Sequence, residues 1–325
     1  MCPALVPVAV YTDWDGMLDI APGRALLEAA GWETRAVGST DPERIVAACR
    51  DATAICLGLA QISAAMMEAM PHLRIIATAS AGTDMVDAEA ATARAVWVAN
   101  VGSASIDEVA SHALAMALSL VRHLPLLDRD VRAGAWAGEA TGPLRRVTRL
   151  KLGVVGVGRI GRRLAEMAGP IFDEVVGCDP NVAEGSWPAA VRRVSLDDLL
   201  GEADVVSLHV PLDSSTERLF DEHRLARMKR GSLLVNVSRG ALVDVPALLA
   251  ALDRGHLDGA ALDVLPLEPP DPADPVLRHP RVLLSPHAAF YSVESAADYV
   301  RIQAENVLAW QRVGRPLSPV VEGEP

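Results

Sequence analysis

The sequence predicts an α/β protein of two doubly wound parallel-sheet domains, each sheet covered on both faces by helices. Three observations carry this. Short apolar runs alternate with helix-length segments along most of the chain, the pattern of βα units. At 325 residues, half of them hydrophobic, the chain is long for a single core, so two domains are the default. Near the middle, one strand-to-helix turn carries the spacing Gly156-x-Gly158-x-x-Gly161, whereas the first hundred residues hold no comparable glycine pattern.

The elements follow in order. Val6 to Tyr11 is apolar and β-prone and can open a sheet. Beyond Pro22, Ala25 to Ala30 reads as a helix closed by Gly31, and Thr34 to Val37 as a strand. Asp41-Pro42-Glu43 combines a cap, an N1 proline and a first-turn acid, so a helix starts there and runs to Cys49. Ala52 to Leu57 is a strand, Ser63 to Met70 a helix, Leu73 to Ala77 a strand, Asp84 to Ala91 a helix and Ala95 to Ala99 a strand. Asn100-Val-Gly-Ser breaks the alternation. Ser105 to His123 then reads as one long amphipathic helix, of a length that suits a span between two domains, ended by Leu124-Pro125. A connecting segment with Arg132, Trp136 and Gly142-Pro143 leads to the glycine turn.

In that turn, Leu152 to Val155 reads as a buried parallel strand. Gly156 makes the tight turn, Gly158 lets the backbone approach phosphates, and Gly161 lets the new helix, Arg159 to Ala168, pack closely on the strand. The helix start offers unpaired N–H groups and its positive dipole end to an anion. Alone, the pattern fits an ordinary glycine-rich turn as well as a dinucleotide site. Its context favours the second: Glu174 to Cys178 reads as the next strand, with Asp179 at its end, about 20 residues beyond the glycines. A carboxylate there accepts from both ribose hydroxyls and repels a 2′-phosphate, which predicts NAD rather than NADP.

The alternation then resumes. Leu196 to Leu200 is a short helix, Asp204 to Leu208 a strand before the turn His209-Val-Pro-Leu, and Glu222 to Met228 a helix. Ser232 to Val237 is a strand, Pro246 to Arg254 a helix, Leu257 to Leu262 a strand ending at Asp263, and Val282 to Leu284 the last strand. Pro266 to Pro280 is a proline-rich loop, and Ser292 to Gln311 a long helix.

Composition excludes several classes. The net charge is −12 without any Lys/Arg-rich block, which argues against nucleic acid or an anionic membrane surface as a direct partner. No charge-free apolar run approaches a membrane span, and Met1-Cys-Pro-Ala-Leu-Val-Pro lacks the basic start of a signal peptide. Cys2, Cys49, Cys56 and Cys178 are scattered, with no C-x-x-C pair and no histidine frame. They read as reduced thiols, mostly strand-buried, with no metal site. The expectation is a soluble, acidic, cytoplasmic protein.

Three polar residues follow strands, where ligands of open α/β sheets bind. Arg239 directly follows Leu233-Leu-Val-Asn-Val-Ser238, Glu268 lies in the loop after Asp263, and His287 follows Val282-Leu-Leu-Ser-Pro286. An arginine fork grips a carboxylate and polarises a neighbouring carbonyl. A histidine moves protons near neutral pH, and a carboxylate beside it favours the imidazolium and fixes its orientation. Taken singly, Arg239 is equally readable as a surface ion pair, Glu268 as a solvated loop charge and His287 as a satisfied turn residue.

Together, Gly156-Val-Gly-Arg-Ile-Gly161, Asn236-Val-Ser-Arg-Gly-Ala-Leu-Val-Asp244, Ala261-Leu-Asp-Val-Leu265, Glu268-Pro and Ser285-Pro-His287 resemble the D-2-hydroxyacid dehydrogenase family. The match covers nearly the whole chain in the expected order. His287-Ala-Ala-Phe-Tyr-Ser292 is most similar to the C-terminal-binding-protein branch and its bacterial relatives. The resemblance implies a flavodoxin-like substrate domain of residues 1–100 plus 287–325, with an inserted Rossmann coenzyme domain of residues 101–286. It also implies homodimerisation through the coenzyme domain and a small 2-oxo or 2-hydroxy acid as substrate. Arg239 would orient the substrate carboxylate and carbonyl, and Glu268 would pair with His287, the acid/base. Ala81 and Gly82 would hold the substrate carboxylate through backbone N–H groups, and Phe290 would roof the pocket. Arg159 and Ile160 match the pyrophosphate turn. His209, Val210, Pro211 and Thr216 match the adenosine side, and Val237, Ser238, Arg239, Asp263 and His287 the nicotinamide side.

Two positions depart from the family. Val109-Ala-Ser111-His lacks the acid often found on the long helix, and Thr78 stands where the eukaryotic members of that branch carry an arginine. Neither touches the Arg/Glu/His set. The expected activity is NAD(H)-dependent interconversion of a 2-oxo acid and a D-2-hydroxy acid. The rivals are an NAD(H)-sensing corepressor-like scaffold and a relative oxidising formate or a phosphorus acid.

Overall fold

The computed structural model describes residues 6–13, 16, 18–136 and 144–324. Cys2 and Gly142-Pro143 lie outside the described residues. The chain divides into two compact units, Met1–Ala104 with Tyr291–Pro325, and Ser105–Phe290. The junctions fall four residues beyond the expected 100/101 and 286/287. Backbone hydrogen bonding explains both shifts. Val101 N donates to Ser80 O and Gly102 N to Asn100 Oδ1, which ties residues 101–102 to the first unit. The N–H groups of 287–289 all end on Asp263, which ties them to the second.

The first unit begins with β1 (Val8–Tyr11), α1 (Ala21–Ala29), β2 (Glu33–Ala36), α2 (Pro42–Cys49), β3 (Ala54–Leu57), α3 (Ala64–Glu68), β4 (Ile75–Thr78), α4 (Ala88–Ala93) and β5 (Trp97–Ala99). Asp41 caps α2 as expected, accepting from the Glu43 and Arg44 N–H groups. Helix α1 starts earlier than expected, at Ala21. Pro22 sits in its first turn, where a missing N–H costs nothing. Helix α4 starts later than Asp84: Asp87 accepts from Ala90 N as its cap, and Val86 is engaged in a bridge with Ile62.

The second unit holds α5 (Ile106–Val121), α6 (Leu124–Arg132), β6 (Lys151–Val155), α7 (Arg159–Ala168), β7 (Glu174–Cys178), β8 (Arg192–Arg193), α8 (Leu196–Glu202), β9 (Val205–Leu208), α9 (Glu222–Arg227), β10 (Ser232–Asn236), α10 (Val245–Asp253), β11 (Leu257–Leu262) and β12 (Val282–Leu284). Its sheet runs β12-β11-β10-β9-β6-β7-β8, with every pair parallel. The order reverses between β6 and β9, the switch point where doubly wound sheets open a crevice at their carboxyl ends. Val154 and Val235 pack with Val109, Met116 and Leu164 of α5 and α7 on one face. On the other, Val155, Val206 and Leu234 pack with Leu199, Leu225 and Leu248 of α8, α9 and α10.

Two elements here were not expected. The segment read as a connection after the long helix forms α6: His123 leaves α5 at φ +50, and Pro125 takes a first-turn position in the new helix. Strand β8 has only two residues, both exposed, so its apolar pattern is absent.

The chain then completes the first unit with α11 (Val293–Val313) and β13 (Pro319–Val321). That sheet runs β13-β5-β4-β3-β1-β2, parallel except for β13, which pairs antiparallel to β5. The order 5-4-3-1-2 is flavodoxin-like. Helix α11 closes one face: Ala304 and Val307 pack with Tyr11, Cys56, Ala77 and Trp97, while Gln303 Nε2 donates to the Leu57 and Ala77 carbonyls. Cys49 and Cys56 are buried, and burial pushes both thiols up to about 12, so they stay protonated.

Candidate active site

The glycine turn has the geometry its spacing predicts. Gly156 has φ +91, and a Cβ there would come within 2.5 Å of the His209 carbonyl. A Cβ on Gly161 would lie 2.0 Å from the Gly156 carbonyl oxygen, so only glycine lets α7 approach β6 this closely. A Cβ on Gly158 would meet nothing within 4 Å, so the backbone there faces open space. Gly158 is also the cap residue of α7, and no side chain caps the helix or places an acid in its first turn, which contains Arg159 and Ile160. The first-turn N–H groups are thus left to an anion. Asp179 fixes the next edge: Oδ2 accepts from Val157 N at 2.9 Å and Oδ1 from Asn181 N at 2.8 Å. An open backbone, an uncapped helix start and a carboxylate held beside them fit a dinucleotide.

The loop after β9 supplies His209, Val210, Pro211 and Thr216. Thr216 Oγ1 donates to the Pro211 carbonyl at 2.7 Å and accepts from Asp213 N at 2.8 Å, closing the loop on itself. His209 turns its imidazole inward. Nε2 lies 2.8 Å from Ser207 Oγ, and Nδ1 is buried with no partner among the described residues. Its backbone, packed on Gly156, is the part that borders the turn.

Burial lowers the His209 pKa to about 4. The unfolded chain therefore binds a proton near pH 6.5 that the folded protein refuses until about pH 4. Stability is full above 6.5 and falls as pH drops through that window, by on the order of 2–3 kcal/mol at its lower end. His209→Gln should flatten the fall, measured as Tm between pH 7 and pH 4.5. An identical Tm profile in the variant would show that His209 is not the source.

Arg239 stands where β10 ends, held by Asn236. The Asn236 side chain accepts from Ser238 N at 3.0 Å and donates to the Arg239 carbonyl at 2.8 Å. Ser238 Oγ donates to the Leu208 carbonyl at 2.8 Å, and a Cβ on Gly240 would lie 2.0 Å from Leu265. The backbone on both sides of Arg239 is thus fixed. Val237, next to it, is buried. The sequence signal for this stapling role of Asn236 is an asparagine ending an apolar strand before Ser-Arg-Gly, and it shows its meaning only in the fold.

Glu268 and His287 meet directly: Nδ1 of His287 lies 2.6 Å from Glu268 Oε2, while Oε1 accepts from Leu265 N at 2.8 Å. Burial pushes the Glu268 carboxyl up. The His287 hydrogen bond and charge, the Leu265 N–H and the Arg239 charge outweigh this and hold it below the ordinary carboxylate range. An ionised Glu268 makes Nδ1 the donor, which leaves Nε2 as the nitrogen that exchanges a proton with a ligand. The Phe290 ring stands edge-on to His287, with centroids 6.4 Å apart.

Asp263 is buried, and its carboxylate is spent on the loop that carries His287. Oδ1 accepts from Ala288 N at 2.9 Å and Oδ2 from Ala289 N at 3.0 Å, while the Asp263 carbonyl accepts from His287 N at 2.7 Å. The second unit thus brings Arg239, Asp263, Glu268, His287 and Phe290 together at the carboxyl ends of β10, β11 and β12. Ala81 and Gly82 belong to the first unit. They follow β4, where Asn100 Nδ2 donates to the Ala81 carbonyl at 2.7 Å and Ser80 Oγ to the Gly82 carbonyl at 2.6 Å.

A Rossmann sheet with an open, uncapped glycine turn at its switch point, and a histidine–carboxylate pair at the same carboxyl edge, fit the class of nucleotide-dependent dehydrogenases. Residues 114–289 match the family described as D-isomer specific 2-hydroxyacid dehydrogenase, NAD binding domain, and the chain belongs to this family. It is 39% identical over 256 residues to a glyoxylate reductase of Korarchaeum cryptofilum, covering 77% of each chain. It is 34% identical over 292 residues to D-3-phosphoglycerate dehydrogenase of Mycobacterium bovis, covering 89% of this chain but about half (54%) of that protein. Among solved structures, NAD-dependent formate dehydrogenase from Staphylococcus aureus in complex with NAD is similar at a TM-score of 0.89 and 26% identity, covering 97% of this chain and 99% of that one.

Proposed function

We propose that the protein interconverts a small 2-oxo acid and the corresponding D-2-hydroxy acid with NAD(H), using His287 as acid/base and Arg239 to bind the substrate. The observation that carries this is the Glu268–His287 contact at 2.6 Å, at the same carboxyl edge of the sheet as Arg239 and in a chain of the 2-hydroxyacid dehydrogenase family. When bound, NADH would be the source of the hydride for the substrate carbonyl carbon. The turn 156–161 and the start of α7 would hold its pyrophosphate, and Asp179 its ribose. The charge on Asp179 favours NAD over NADP.

The protein's own groups do the rest. Arg239 grips the carboxylate and stabilises the negative charge that develops on the carbonyl oxygen during reduction. His287 delivers the proton to that oxygen from Nε2, and Glu268 steadies the imidazolium before the transfer and the tautomer after it. Phe290, edge-on to His287, would close the pocket over a small substituent. The glyoxylate reductase relative supports a short 2-oxo acid, and the run His287-Ala-Ala-Phe-Tyr-Ser292 supports placement near the C-terminal-binding-protein branch.

A panel of 2-oxo acids assayed with NADH and NADPH tests the reading. Turnover of at least one acid, faster with NADH, is expected; oxidation of formate instead would replace it. Arg239→Lys keeps the charge but loses the fork, so kcat/KM should fall by about 10–100-fold, the loss of one bidentate contact. An unchanged kcat/KM would make Arg239 structural. We place the protein in the cytoplasm as a homodimer joined through the coenzyme unit. The exposed side chains of Leu124, Val131, Trp136 and Leu144, clustered in sequence around α6, support this assembly. A mass near the 34.4 kDa monomer by light scattering would remove it.

A further inference from the structure

Behind the loop that carries His287, a second row of polar side chains leads back to α5. His112, on that helix, brings Nε2 to 2.9 Å from Ser285 Oγ. Ser285 Oγ in turn lies 2.5 Å from Asp263 Oδ1, while His112 Nε2 itself stays 3.7 Å from that oxygen. The chemistry assigned to Arg239, Glu268 and His287 uses neither His112 nor Ser285.

Counting protons gives the row a direction. Each Asp263 oxygen receives a backbone N–H, so the carboxylate acts as an acceptor. Ser285 has one hydroxyl proton, and it goes to Asp263. Ser285 Oγ can then only accept from His112, whose Nε2 must carry a proton. Each donor in such a chain polarises the next. At its far end, Asp263 holds three consecutive N–H groups, those of His287, Ala288 and Ala289. His287 has φ +52, a backbone region that a histidine keeps only when its surroundings over-determine it.

We infer that His112 and Ser285 are positioning residues for His287: together they orient the Asp263 carboxylate, which clamps the N–H groups of residues 288 and 289 directly after the histidine and so aims the imidazole. The kinetic side of this inference rests on the proposed role of His287; the positioning side does not. Ser285 is the link, because without its hydroxyl His112 is too far from Asp263 to hydrogen-bond it directly.

The test compares His112→Leu, His112→Gln and Ser285→Ala in the full chain. Amide hydrogen exchange at Ala288 and Ala289 is read without substrate, and kcat and KM with NADH and the best 2-oxo acid. In His112→Leu and Ser285→Ala, exchange at both amides should rise about tenfold or more. In the same variants kcat should fall about tenfold from the misaimed imidazole, with KM for NADH within about twofold of wild type. His112→Gln keeps an N–H donor near the position of Nε2, so it should restore both readings to within about threefold. Unchanged exchange in Leu and Ala variants, or a Gln variant as impaired as Leu, would overturn the positioning. Raised exchange with kcat unchanged, or a loss confined to KM, would overturn its link to catalysis. If the wild-type protein reduces no 2-oxo acid, the proposed function fails, while the exchange rates still decide the positioning. Should His112→Leu fail to fold, Ser285→Ala and His112→Gln carry the same decision.

Discussion

Replacing His287 by alanine is expected to lower kcat by about 10²–10⁴-fold, the usual contribution of a positioned acid/base, while NADH binding stays within about twofold of wild type. The reason for the split is structural. The groups proposed for the pyrophosphate and ribose are the backbone of residues 156–161 and Asp179, whose hydrogen bonds to Val157 and Asn181 involve no part of His287. Glu268→Gln should cost less, because the imidazole keeps its place on the loop held by Asp263 and loses only its charged partner. Steady-state kinetics with NADH titration by fluorescence checks both. A His287→Ala enzyme with unaltered kcat would remove His287 from the chemistry, and one that no longer binds NADH would move its role to the coenzyme.

A second large effect is expected at the glycine turn, where two conservative substitutions separate packing from ligand approach. In Gly161→Ala the new Cβ would lie 2.0 Å from the Gly156 carbonyl oxygen and 3.0 Å from Val154 Cγ1, so α7 must move away from β6. Overpacking of this kind costs about 1–3 kcal/mol, and the displaced helix start should also weaken NADH binding by about tenfold or more. In Gly158→Ala the Cβ meets no protein atom within 4 Å. Tm should therefore stay near wild type, while NADH affinity falls because the methyl group would enter the space proposed for the pyrophosphate. Thermal unfolding and NADH titration of both variants give the comparison. A Gly158→Ala protein that binds NADH normally would place the pyrophosphate elsewhere.

The contrast between these glycines also shows what local sequence can encode. The spacing of Gly156, Gly158 and Gly161 is set by a strand-to-helix turn only six residues long, so backbone conformation and close approach are both written locally. The same holds for the Asp41 cap of α2 and for β11, whose bounds agree with its apolar run. Where neighbours from elsewhere decide, local signals fail. Leu124-Pro125 looks like a terminator and predicts a connection where α6 forms, yet a proline in a first turn starts a helix as readily as it ends one. Strand β8 is recruited to the sheet by β7, with two arginines and no apolar pattern of its own.

For the site, the sequence by itself determined which residues carry charge and where the chain must turn: the glycines, Asp179, Arg239, Glu268 and His287 each follow a strand recognisable from its apolar run. Tertiary structure alone decided their mutual geometry. The 2.6 Å approach of Glu268 to His287 joins two loops 19 residues apart. The row from His112 to Asp263 joins a helix to a strand end that lies far along the chain, through Ser285, with no spacing rule between them. Such contacts depend on how strands order themselves in the sheet, and that order is set by the packing of both faces, which no short stretch of sequence contains.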